Sequence, residues 1–522
     1  MIIKTHFQKV LILSFALLAG FSSCKKDPKV QPGTTPIVTT PPTRAELTKD
    51  SIFLYAKETY YWNEPFPTYE AFKPRSYATN KALLDAIRAL PGTGKPLVTT
   101  ANDPVPREKY SFLDDGSVSS QLSGVSGDYG FSVFYNTSES PTGDLRIKYV
   151  SPNSPAAEKG LKRGYRITKL NGRTDLTTAS DANVTFVGNA VFGSATSVEL
   201  TVQKPDGTSV DMTISRGSYS NNPIYHSSII TVGSKKVGYI VYNSFTTNSK
   251  DALTTKIAEF ATAGATELVV DLRYNGGGSV ATADVLTNLI APASLNGTTM
   301  YTTFWTKSMQ NLRTATERKA SILANQPLTD EKGKLRPFTG GVNGVYATYA
   351  DIDYSPAENR TEFEKVGSAM FTKVYFLVLG GTASASELVI NNLKPHLDVK
   401  LIGEKTFGKP VGFFAINIDN IELYVPQFET KNSNNVGGYY NGMTVDFEVK
   451  DDVTKDFGDR TEKLLAAALS FSEKGTFSLG KPNNSISSTR GMSAEEARAM
   501  TEEFEKDKFN GMKYDKFKLK KK

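Results

Sequence analysis

Apolar positions recur at helical spacing early in the chain. Ile52, Tyr55 and Ala56, with Thr59 one turn on, lie at i, i+3, i+4 and i+7, and Pro65 stops the run. Leu83, Ile87 and Leu90 repeat the pattern before Pro91-Gly92. This predicts a small helical region over 46–120. The period then shortens to two. Tyr129–Tyr135, Asp144–Val150 and Tyr165–Leu170 read as strands, and Val198–Val202 with Val210–Ile214 form a hairpin around Pro205-Asp206-Gly207. Ser154-Pro155 opens a short helix that ends at Gly160. Five strands and one short helix predict a β domain over 121–217. From Val237 the order becomes strand, helix, strand. Glu267–Leu272 and Lys373–Leu379 are near-continuous apolar runs, as for a sheet covered on both faces. A helix over Glu387–Lys394 and a strand over Val399–Ile402 follow, so 218–478 reads as an α/β core. The polar stretch Thr302–Glu364 reads as an insertion or lid, and 479–522 as a solvated polar tail with a possible helix over Ser493–Lys506.

The first 45 residues read as an address and a tether. Lys4 and Lys9 precede the apolar run Val10–Phe21, which is too short to span a bilayer comfortably. Gly20-Phe21-Ser22-Ser23-Cys24 resembles a bacterial lipobox. That predicts a signal peptide over 1–23 and lipidation at Cys24, the only cysteine of the chain. An ordinary secretory signal is the simpler alternative. Residues 24–45 are Lys-, Pro- and Thr-rich without period, a flexible tether. The expected place is the bacterial cell envelope, lipid-anchored, on the outer membrane facing the periplasm or the exterior. Net charge is +7 over 522 residues, too weak for a nucleic-acid partner. One cysteine and three histidines argue against a disulfide framework and a Cys/His metal cluster.

Three loops follow the core strands and carry the candidate chemistry. They are Asp271-Leu272-Arg273-Tyr274-Asn275-Gly276-Gly277-Gly278, Gly380-Gly381-Thr382-Ala383-Ser384-Ala385-Ser386-Glu387, and Gly403-Glu404-Lys405-Thr406-Phe407-Gly408-Lys409. The glycines let a substrate approach bare backbone, or simply make a tight turn. No Gly-Lys-Ser/Thr follows them, which rules out a phosphate loop. Ser384-Ala385-Ser386-Glu387 fits a capping box, in which Ser384 only caps a helix. A serine there also faces free N–H groups that stabilise negative charge, but it needs a base. With His6 in the signal segment, only His226, in a polar turn, and His396, after Pro395, remain, and neither follows a core strand. A buried lysine is the next candidate, since burial favours the neutral amine, and Lys409 lies between Gly408 and Pro410.

Together these loops, downstream of the β domain, resemble the carboxyl-terminal processing, or tail-specific, protease family. The resemblance covers about residues 46–475. It implies a multidomain α+β chain with a helical N-terminal cap, a small PDZ-like β domain and an α/β protease core. It places the nucleophile at Ser384, the general base at Lys409, and the oxyanion hole at Ala385 with Gly277 or Gly278. The family often has glutamine four residues after the lysine. Here that position is Phe413, so Glu387 is left as the third catalytic residue. Tyr129-Gly130-Phe131 resembles a PDZ carboxylate-binding loop, although a plain strand also explains it. The expected activity is serine endopeptidase action on exported proteins or peptides, with peptide partners engaged through a C-terminal carboxylate. That hydrolase reading implies no metal or organic cofactor. The alternative, which Phe413 favours, is a non-catalytic peptide- or ligand-binding lipoprotein, since related folds include retinoid-binding modules. Domain order also suggests that the cap or the 302–364 stretch covers the site until peptide binds.

Overall fold

The strand Glu267–Asp271 is buried at every position because it sits inside a six-stranded sheet with both faces covered. The order is Ile224–Val232, Lys235–Tyr242, Glu267–Asp271, Lys373–Val378, Asp398–Gly403, Phe447–Glu448. The first pair is antiparallel and the rest parallel. Alternation sorts side chains to the two faces. Leu268, Val270, Val374 and Phe376 join one core with the helices Lys250–Thr262, Val280–Ile290 and Ala385–Leu393. Val269, Tyr375 and Leu377 join another with the helix Lys463–Lys474. This is a computed structural model, and it describes residues 41–100, 103–136, 144–178, 180–330, 333–479 and 511–520. The signal segment, Cys24, nearly all of the tether and the helix expected over Ser493–Lys506 lie outside the described residues. No described helix is long and apolar enough to cross a membrane.

The β domain has a core of its own. Its five strands run antiparallel in the order Phe131–Asn136, Asp144–Val150, Arg166–Leu170, Ser197–Gln203, Ser209–Ser215. A helix not expected from sequence, Asp181–Phe192, packs on it through Val187 and Val191. Its Val, Thr, Asn and Phe residues are weak helix formers, so tertiary packing supports it.

Three other expectations change. The N-terminal helices Arg44–Thr59 and Asn80–Ala89 bury Ile52, Tyr55, Leu83 and Ile87 in the main core rather than in a separate cap. The segment after them is strand, and Phe112–Asp114 pairs with Ile421–Tyr424. The 302–364 stretch is not a polar lid. Trp305, Leu323, Ala347 and Tyr354 are buried in the same core, and Thr299–Trp305 pairs with Phe428–Asn432. The end of the chain is not wholly a solvated tail. Met512 and Tyr514 are buried, and Gly511–Lys513 forms a strand beside Gly277–Ser279. Apolar residues at alternate positions are hidden there among lysines.

Candidate active site

The strand Lys373–Val378 runs into a turn that delivers Ser384 to the start of the helix Ala385–Leu393. Three contacts hold this turn against the glycine loop. Thr382 Oγ1 donates to the Leu272 carbonyl at 2.8 Å, Ala383 N–H to the Asn275 carbonyl at 3.2 Å, and Ser386 Oγ to the same carbonyl at 3.0 Å. Ser384 has φ 60° and ψ −104°, a strained conformation for a residue with a side chain. Glu387 Oε2 accepts the Ser384 N–H at 2.8 Å, one arm of the expected capping box. The Ser384 hydroxyl is buried and has no hydrogen-bond partner among the described residues, so in this conformation none of their bases engages it.

Glu387 ties two loops together. Its carboxylate accepts from Ser384 N–H, from Lys409 N–H (2.8 Å), from Gly408 N–H (2.8 Å) and from Thr406 Oγ1 (2.5 Å). Burial pushes its pKa up, and these four donors oppose the rise without cancelling it. Glu387 meets Lys409 through its main chain at 2.8 Å, so it fixes the two loops relative to each other.

Lys409 is 1% exposed. Its ammonium stands 4.2 Å from the Phe413 ring centre and 5.5 Å from that of Tyr110. Burial lowers its pKa to about 7; Lys109 adds to the fall, while Glu108 and Glu387 oppose it. Phe413 thus walls the buried amine on one side with its ring. The 108–110 segment forms another wall, which sequence reasoning missed. Glu108 is buried and accepts the N–H groups of Tyr110 and Ser111 (2.6 and 3.1 Å), and Tyr110 Oη donates to the Gly408 carbonyl at 2.7 Å. These partners lie about 300 residues apart, and no local pattern links them.

The glycine loop faces Ala385. Asn275, whose role was also missed, organises it: Nδ2 donates to the Tyr242 carbonyl (2.9 Å) and Oδ1 accepts Gly277 N–H (2.8 Å). That bond commits Gly277 N–H to Asn275, and Gly278 lies in the parallel ladder with Gly511–Lys513. A Cβ placed on Gly277 lies 3.1 Å from Ala385 N, so the loops are in van der Waals reach. Gly278 has φ +141°, and a Cβ on it meets the Phe245 carbonyl oxygen at 2.2 Å. Gly278→Ala is therefore expected to displace the loop. Peptide hydrolysis should fall by at least ~100-fold, with a lower melting temperature, since backbone strain alone costs about 1–3 kcal/mol. Wild-type turnover of a peptide substrate by this variant would show that the loop is not part of the site.

Arg273 anchors the same loop from below. Its buried guanidinium bonds Asp271 (2.8 Å), Glu462 (2.9 Å) and Asp451 (2.7 Å), and Asp451 also receives Arg163 of the β domain at 2.7 Å. The candidate peptide loop lies in that domain. Tyr129 Oη donates to the Ala195 carbonyl, and Gly130 N–H to Asp128 Oδ1 at 2.8 Å. Phe131 is buried in an edge strand. Tyr129, Gly130, Phe131 and Arg216 share a cavity of about 280 Å³ with Gly276, which connects the β domain to the glycine loop. The histidines stand elsewhere. His226 is in the first sheet strand rather than in a polar turn, with Nε2 3.1 Å from Ser228 Oγ; His396 Nε2 is 2.9 Å from Ser433 Oγ.

A family model described as Peptidase family S41 matches residues 236–449. The chain is 27% identical over 387 residues to carboxyl-terminal-processing peptidase 2, chloroplastic, of Arabidopsis thaliana, covering 72% of this chain and 64% of that protein. It is 25% identical over 362 residues to a carboxyl-terminal-processing protease of Picosynechococcus, covering 68% of this chain and 70% of that one. A crystal structure of a Bacteroides fragilis protein assigned as an S41 protease superposes with TM-score 0.51 and 23% identity, over 86% of this chain and all of that one. That likeness shows the fold.

Proposed function

We propose that this chain, which matches peptidase family S41 over residues 236–449 and resembles carboxyl-terminal processing proteases, is a serine endopeptidase working through Ser384 and Lys409. The observation that carries this reading is the Lys409 amine. It is buried, its pKa lies at about 7, and one carboxylate joins its main chain to that of a serine whose hydroxyl is unbonded. Neutral Lys409 takes the proton of Ser384 Oγ as that oxygen attacks the scissile carbonyl. Gly278 and Ala385 N–H groups hold the oxyanion. Lys409 returns the proton to the leaving amine, and water repeats the sequence on the acyl-enzyme. Glu387 is a positioning residue that keeps the two loops in register. The hydroxyl and amine close the remaining gap when substrate binds, since catalytic hydrogen bonds are often loose without it.

The substrates of this reading are exported polypeptides. The edge strand from Phe131 offers a place for strand addition, and the Tyr129–Phe131 loop a place for a C-terminal carboxylate. The lipid anchor at Cys24 would hold the enzyme in the cell envelope. A fluorophosphonate tests the assignment. Mass spectrometry should find the adduct on the peptide containing Ser384, and unfolded casein should be degraded. No adduct and no turnover would leave the binding-lipoprotein alternative.

A further inference from the structure

The described end of the chain runs between the glycine loop and Phe413. Gly511–Lys513 pairs in parallel with Gly277–Ser279, in the register Gly277↔Gly511, Gly278↔Met512, Ser279↔Lys513. Gly511 N–H donates to the Gly276 carbonyl at 2.9 Å. The opposite edge of the segment is bonded to Phe413: Phe413 N–H donates to the Met512 carbonyl (3.0 Å), and Tyr514 N–H donates to the Phe413 carbonyl (2.8 Å). The main chain is thus held on one side by the candidate oxyanion loop and on the other by a residue four positions past Lys409. The point a Gly277 Cβ would occupy lies 2.3 Å from Gly511 O and 3.1 Å from Ala385 N, the amide that follows Ser384.

This is how an added peptide strand binds: backbone bonds supply affinity and alternate side chains supply selectivity. Met512 is fully buried and Tyr514 is 5% exposed, its ring 4.9 Å from Trp305 and 5.4 Å from Phe428. Between and after them the contacts are polar. Asp515 accepts from Ser279 Oγ at 2.6 Å and from Ala281 N–H at 3.1 Å, Lys516 pairs with Asp284, and Lys518 Nζ donates to the Glu358 carbonyl at 2.7 Å. The pairing is a two-stranded ladder separate from the main sheet.

We propose that segment Gly511–Lys520 is a built-in ligand of the substrate groove, lying where an extended substrate strand must lie, so that a substrate is cleaved only after displacing it. The proposal rests on the peptidase reading above and extends it to regulation and substrate class. The displacing polypeptide has the same pattern: an apolar residue, an aromatic residue two positions on, and basic residues around them.

The test uses the full chain with Cys24→Ser, Ser279→Cys and Asp515→Cys, which places a thiol pair where the two side chains now touch. Oxidation should lower casein turnover at least tenfold, and a reductant should restore it. Equal turnover in both states overturns the proposal. A second chain carries Met512→Ala and Tyr514→Ala, which loosen the segment without touching the catalytic groups. It should bind a fluorescein-labelled peptide of residues 511–522 saturably, and the oxidised thiol-pair chain should not. Binding by neither chain, or by both equally, refutes the proposal. This arm needs no catalysis, so a chain that binds the peptide yet never cleaves casein fails the peptidase reading and keeps the groove assignment.

Discussion

Ser384→Ala and Lys409→Ala should each lower kcat/KM on unfolded casein by about 10³–10⁵-fold, and the double variant should be little worse than either single one. Non-additivity follows from the proposed mechanism, in which the hydroxyl and the amine act as one unit: an alkoxide cannot form without the base, and the base has nothing to activate without the hydroxyl. In that mechanism the working form of Lys409 is the neutral amine. With its pKa at about 7, the rate should rise with pH through that value and fall about tenfold per unit well below it. Stability supplies an independent sign. The folded state holds Lys409 at about 7, while the unfolded chain holds it near its ordinary 10.5. Between those values the unfolded chain binds more protons, so this residue makes stability rise with pH across that window, and its full cost is present below 7. Lys409→Met should therefore stabilise the protein at pH 6, by an upper bound on the order of 3–5 kcal/mol, with the gain vanishing by about pH 10.5. Urea midpoints for both chains at several pH values measure this. A Lys409→Met chain that is less stable at pH 6 would mean that the ammonium is held by an ion pair, and the general-base role would fail with it.

The legible part of this site is the part written within single loops. Ser384, Glu387 and Lys409 lie in segments that follow sheet strands, and continuous apolar runs mark those strands. Phe413 was visible as a departure, but its effect was not: whether a ring replaces an amide or merely displaces it depends on where the ammonium points. Glu108, Tyr110 and Met512 were illegible for a different reason. Each reaches the site across hundreds of residues, and a contact of that range leaves no periodicity in the chain. The strand Ile224–Val232 was missed because an edge strand with one partly exposed face mixes His226, Ser227 and Ser228 into its apolar positions. Asn275 stood in the quoted loop, yet nothing in the sequence distinguishes an asparagine that organises a turn from one that decorates it.

Arg273→Met should be the most damaging single change outside the catalytic groups, at about 3–5 kcal/mol. The guanidinium is 1% exposed and serves three carboxylates, those of Asp271, Asp451 and Glu462. Removing it leaves those charges buried, with Asp451 supported by Arg163 of the β domain and by the Tyr274 hydroxyl. Asp451 reports the present balance: burial would raise its pKa, yet Arg163 and Arg273 hold it well below the usual carboxylate range. A carboxyl so depressed contributes stability above its unfolded pKa and loses it as pH falls through the folded value. In Arg273→Met that depression weakens, so protonation relieves the variant and its deficit against wild type should shrink from pH 7 to pH 4.5. Activity should fall with stability, because Arg273 lies two residues before Asn275, which shapes the glycine loop. Arg163→Met provides the contrast. It should cost less, since Arg273 still pairs Asp451, and it should loosen the β domain while leaving the Ser384 loop intact. Melting curves at the two pH values, with fluorophosphonate labelling rates on both variants, separate these effects. An Arg273→Met chain that melts and labels like wild type would mean that the buried cluster neither supports the fold nor sets the loop.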